Sequence, residues 1–98
     1  MRHFLVEINY LIPAEQLGEI TPLHRTFLQT GYDKGWLLIS GPRVPRTGGV
    51  MIARAPSLEE LQAFLKNDPF QKRGVASYSY TEFDPVKFQP ILEEWVSE

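Results

Sequence analysis

The sequence has no cysteine, which removes disulfides, thiolate chemistry and cysteine metal sites together. Its only histidines, His3 and His24, lack the close spacing of a metal-binding motif, so no metal and no other cofactor is expected. No stretch approaches the ~20 apolar residues of a membrane span, and no membrane partner is expected. Charge of one sign is not in excess: 10 Lys and Arg stand against 12 Asp and Glu, a net charge of -2. That balance gives a phosphate backbone no broad electropositive surface and argues against nucleic acid as a partner. Met1-Arg2-His3 passes directly into strand-like residues, without the apolar run and small-residue cleavage site of a signal peptide. The expectation is a soluble, cytoplasmic protein. Gly48-Gly49 lies in a hairpin and not between a strand and a helix, so it is no phosphate-cradling loop.

What is present fits one domain over residues 1–98, because a core of this size does not divide. His3 to Leu11 alternates as a strand does, with Phe4, Val6, Ile8 and Tyr10 on a core side and a mixed set on the other. Pro13 to Gly18 opens a helical region. Thr21-Pro22 reads as a cap and first helical position, followed by an apolar stripe through Leu23, His24, Phe27, Leu28 and Gly31 that ends near Gly35. Trp36 to Ser40 reads as a strand closed by Gly41-Pro42, and Val50 to Ala55 as a third. Ser57-x-x-Glu60 matches a capping box before the amphipathic Leu58, Leu61, Phe64 and Leu65. That helix stops at Asp68-Pro69, since proline biases the residue before it away from the helical region. Val75 to Phe83 is a fourth strand, and Asp84-Pro85 starts a last short helix through Phe88, Ile91, Leu92 and Trp95.

The order strand, helix, strand, strand, helix, strand predicts an α+β fold of the ferredoxin-like βαββαβ type with an extra C-terminal helix. Two helices would cover one sheet face. The other, expected to carry Leu5, Tyr78 and Tyr80, is too apolar to stay wet, which predicts a homodimer by sheet-to-sheet packing. RNA-recognition modules share this order, but Val50-Met51-Ile52-Ala53 lacks the exposed aromatics they need on the third strand.

Two residues carry the functional reading. Asp68 is a carboxylate fixed at a bend, with Phe70 as its apolar anchor, and His24 is the imidazole within reach of the fold. Within its stripe His24 also reads as a core histidine bonded to a backbone carbonyl. Ser40, at a strand end, is either a solvated hydroxyl or a hydrogen bonder. Arg43 and Arg46, in a stiff loop, read as a solubilising tip or as an anion clamp. Ser40 followed by Gly-Pro is not a nucleophile elbow.

The set His24-Arg25-x-Phe27-Leu28, Gly35-Trp36-Leu37-Leu38-x-Ser40-Gly41-Pro42, Pro45-Arg46-Thr47-Gly48-Gly49 and Asp68-Pro69-Phe70 resembles the YciI-like (YCII-related) family, from the first strand to about Pro85. The resemblance implies a dimeric ferredoxin-like α+β barrel, related in shape to muconolactone isomerases, with a first-helix histidine facing an aspartate before the last strand. Those roles fall on His24 and Asp68. It further implies lyase-like or dehydrohalogenating chemistry on ring compounds. The expectation is an acid/base enzyme in which Asp68 orients His24, Ser40 meets a substrate oxygen, and Arg43 or Arg46 holds an anionic group of a small-molecule substrate. The competing expectation is a non-catalytic module that binds a small ligand, or an assembly unit, with the same pocket; a cofactor-free oxygenase of the same barrel shape also stays open.

Overall fold

A computed structural model describes all 98 residues. The chain runs β1 (Arg2–Tyr10), a 3-10 turn (Ala14–Gln16), α1 (Ile20–Asp33), β2 (Leu37–Pro42), β3 (Gly48–Ala55), α2 (Leu58–Leu65), α3 (Pro69–Lys72), β4 (Ala76–Phe83), a second 3-10 turn (Pro90–Leu92) and α4 (Glu93–Ser97). The strands form one antiparallel sheet in the order β2-β3-β1-β4, a ferredoxin-like arrangement. The alternation in β1 decides which face is covered: Phe4, Val6 and Ile8 are buried and join Leu28 of α1, Leu61 and Leu65 of α2 and Phe70 of α3 in one core. Ser57 caps α2 as its sequence implies, accepting from the Glu60 amide at 3.1 Å.

Several boundaries differ from the sequence reading, each for a local reason. α1 starts at Ile20, with Pro22 inside its first turn, where the missing proline N–H would have had no helical partner. β2 runs through Gly41-Pro42 and β3 begins at Gly48, so the connecting loop shrinks to 43–47 and is closed by the Arg43 amide on the Gly48 carbonyl at 2.8 Å. The Asp68-Pro69 bend does more than end a helix: Asp68 caps α3, accepting from the Phe70 amide at 3.0 Å. Asp84-Pro85 starts no helix. A helix from Pro85 through Ser97 would hold Pro90 in its interior, where the ring removes a hydrogen bond and clashes, so α4 forms only beyond it and Ile91 stays 89% exposed.

One misplacement bears on assembly. Tyr78 pairs with Ile8 and Tyr80 with Val6, and directly opposed residues of antiparallel strands share a face. Both tyrosines therefore lie on the helix-covered side, not on the open face where the sequence reading put them. The open face instead carries Leu5, Ile52, Ile39 and Val50.

The last helix returns to its own chain at one end of that open face. The Trp95 ring lies 5.5 Å from His3 and 5.0 Å from the Arg54 guanidinium, and its indole N–H donates to the Gly35 carbonyl at 3.2 Å. Gly35 adopts φ +79°, which suits glycine and turns that carbonyl toward both Trp95 and Arg54 Nε. Burial and the neighbouring positive charges of the N-terminus and Arg54 push the His3 imidazole below its usual pKa, toward the neutral form that packs under Trp95.

Candidate active site

Helical spacing puts His24, Leu28 and Gly31 on the inner stripe of α1, and α3 begins directly beneath it. The histidine and the aspartate, 44 positions apart, meet there. His24 Nδ1 lies 2.8 Å from both Asp68 oxygens, and the imidazole stacks on Phe70 with ring centroids 4.0 Å apart. Asp68 is wholly buried and His24 is 8% exposed. A buried carboxylate requires donors, and Asp68 has three: the imidazole, the Phe70 amide and the Tyr78 hydroxyl. Burial, then the Asp68 charge, push the Tyr78 phenol far above its ordinary pKa, so it stays a donor.

A cavity of about 330 Å³ opens beside His24. Ile8, Tyr10, Leu28 and Phe70 supply its apolar walls, and Thr21, Arg25, Ser40 and Arg46 its polar ones. Asp68 does not line it and reaches it only through His24, whose Nε2 is the ring nitrogen that Asp68 leaves unengaged. No acidic side chain faces the cavity. Ser40 Oγ lies 2.6 Å from the Tyr32 hydroxyl. Either hydroxyl can donate in this pair; with Tyr32 as the donor, the serine O–H is free for a ligand acceptor. Arg46 Nη2 is 3.4 Å from Thr21 Oγ1, a long contact that a ligand anion can displace.

Arg43 is a correction. Its guanidinium turns into the sheet end and donates to the Ile8 carbonyl at 2.6 Å and to Asn9 Oδ1 at 2.7 Å, with Glu7 at 3.5 Å. It does not line the cavity. The donors expected to hold an anion satisfy acceptors at the end of β1, and Gly48 leaves the room: a Cβ there would overlap both the Ile8 carbonyl oxygen and Arg43 Nη2. Arg25 takes the second cationic position. Its place one residue after His24 in the motif is the sequence signal for it.

The sequence profile of the YCII-related domain matches residues 3–84. The chain belongs to the YCII-related family. Among solved structures, this YCII-related chain is similar to the 5-chloro-2-hydroxyhydroquinone dehydrochlorinase TftG from Burkholderia phenoliruptrix AC1100, in complex with 2,5-dihydroxybenzoquinone. The two share 21% identity and a TM-score of 0.65 over 89% of this chain and 93% of that one, a likeness of fold. No curated protein matches the sequence.

Proposed function

We propose that this YCII-related protein is a small cytoplasmic enzyme of the lyase or isomerase type, using His24 and Asp68 for proton transfer on a small, anionic ring compound. The observation that carries the reading is the buried Asp68 carboxylate 2.8 Å from His24 Nδ1, with the same imidazole forming part of a cavity wall that holds Arg25 and Arg46. Asp68 fixes the proton on Nδ1 and Nε2 takes a proton from the substrate. In an elimination, the electrons of the broken C–H or O–H bond form the new double bond and the leaving group departs with its bonding pair. Ser40 donates to the oxygen on which charge builds, and the arginines hold the anionic edge. The dehydrochlorinase with its bound dihydroxybenzoquinone supports this reading by chemistry as well as shape, because an acceptor-rich anionic ring suits a cavity lined by donors.

The test is turnover of chlorinated and hydroxylated hydroquinones, followed by halide release and by the absorbance of the quinone product. Loss of turnover in His24→Ala supports the proposal. Tight binding without turnover by the intact protein overturns it in favour of a ligand-binding module. For 2,5-dihydroxybenzoquinone as probe, Arg25→Ala and Arg46→Ala are each expected to weaken binding about 10-fold, the magnitude of one charge-assisted hydrogen bond, as read by titration calorimetry. Affinity unchanged in both variants would remove the arginines from the site.

The proposal includes a homodimer joined through the open sheet face. Ile39 is 62% and Val50 39% exposed there, and Ile52 pairs with Ile39 on one side and Leu5 on the other. Sedimentation equilibrium is expected to give a dimer mass that Ile52→Lys shifts to monomer, because a charge buried without a partner at an interface is costly. A monomer at all concentrations for the intact chain would refute the dimer.

A further inference from the structure

We infer that Tyr78 is a positioning residue for the acid/base pair: its hydroxyl holds Asp68 as a weakly basic, oriented acceptor, so that the proton between Asp68 and His24 stays on the imidazole. The inference rests on the proposed roles of His24 and Asp68 and adds a third member that neither the motif spacing nor the cavity lining singles out.

The accounting of donors leads to it. Asp68 has no lysine or arginine partner; its one ion pair is with His24, which is charged only when protonated. While the imidazole is neutral, the charge is carried by hydrogen bonds alone. His24 Nδ1 is equidistant, at 2.8 Å, from both oxygens and cannot favour either. The Phe70 amide serves Oδ1 at 3.0 Å, and Tyr78 alone serves Oδ2 in the same way. Each oxygen thus has one outer donor of its own, and the imidazole approaches both. Tyr78 comes from β4, opposite Ile8 in the central strand β1, so its hydroxyl is aimed by the sheet and not by the α3 turn that carries Asp68. Tyr78 does not line the cavity, and burial beside a carboxylate keeps its proton in place. It therefore acts through Asp68 and takes no proton itself.

The test reads the His24 ring directly, by long-range proton–nitrogen correlation spectra of the intact protein, in which His3 is the only other histidine. Tyr78→Phe is expected to move the His24 Nδ1–H resonance downfield, because an Oδ2 without its own donor is a stronger acceptor. Tyr80→Phe, also on the helix-covered face of β4 but not bonded to Asp68, is expected to leave it in place. Site-specific 3,5-difluorotyrosine at position 78, a better donor of nearly the same size, is expected to move it upfield, and carries the test if Tyr78→Phe does not fold. An unmoved resonance in a folded Tyr78→Phe protein, or in the fluorinated one, overturns the inference, as does an equal shift in Tyr80→Phe. Absence of turnover on every compound screened would count against the proposed reaction and leave this signature standing. On a substrate that is turned over, Tyr78→Phe is expected to lower kcat about 10-fold with KM little changed, the pattern of a group felt only as the proton moves.

Discussion

Asp68→Asn is expected to lower turnover by about 10³-fold or more while the protein stays folded. The amide keeps the size of the carboxyl and one oxygen, which can still cap α3 through the Phe70 amide. Its NH₂ end cannot accept from His24. Where the ring meets that end, it must accept a hydrogen bond from the amide at Nδ1, which places its own proton on Nε2 and inverts the tautomer. An imidazole protonated at Nε2 cannot act as the base there. Phe70 and Tyr78 donate to different oxygens of Asp68, so one of them loses its acceptor and a stability loss of about 1–3 kcal/mol accompanies the change. Turnover and a thermal melt on the same preparation separate the two effects. Undiminished kcat in a folded Asp68→Asn protein would mean that His24 needs no oriented proton and that the pair is structural.

The second large effect lies in packing. Phe70→Ala is expected to destabilise the fold by about 3–5 kcal/mol, the range for emptying a buried aromatic site. Phe70 is 1% exposed; one face of its ring stacks on His24 and Tyr10 meets it edge-on at 5.7 Å. In a chain of this length each kcal/mol is worth about 4–8 °C in Tm, so the melting point falls by more than about 12 °C in a circular dichroism scan. Phe88, 39% exposed, serves as the contrast: its replacement by alanine is expected to cost less than about 1 kcal/mol. A Phe70→Ala melt within a few degrees of the parent would show that the histidine wall is supported from elsewhere. Loss of this ring also frees the imidazole to tilt, so ligand affinity falls together with stability.

The contrast between Asp68 and Arg43 explains how much could be read from the residues. The alternation of β1, the α1 stripe and the capping box of α2 are periodic signals, and each placed its element to within a few residues. Asp68 was legible because proline restricts its backbone and the residue must point somewhere fixed. That Asp68 also starts a helix was not, since a four-residue helix has no period to detect. Arg43 and Arg46 look alike in a loop of prolines and glycines, and only the course of the sheet end sends one inward to the Ile8 carbonyl and leaves the other at the cavity. Tyr78 and Tyr80 were grouped correctly with each other and put on the wrong face, because period two gives two sides without saying which is covered; the register with Val6 and Ile8 decides that. At Pro90 two signals conflict, an apolar stripe through Phe88, Ile91, Leu92 and Trp95 that favours a helix and a proline that breaks it, and the proline prevails.

The clasp of Trp95 over His3 and Arg54 has an optical consequence. The other tryptophan, Trp36, sits under the Lys34 ammonium at 3.9 Å and edge-on to Phe64, and neither indole lines the cavity. Intrinsic emission excited at the red edge of the spectrum therefore watches two places, the docking of the tail and the seam between the first two helices, both away from the ligand. Quenching of that signal by an absorbing quinone would report energy transfer across the domain, while a shift in its colour would report that the tail had lifted.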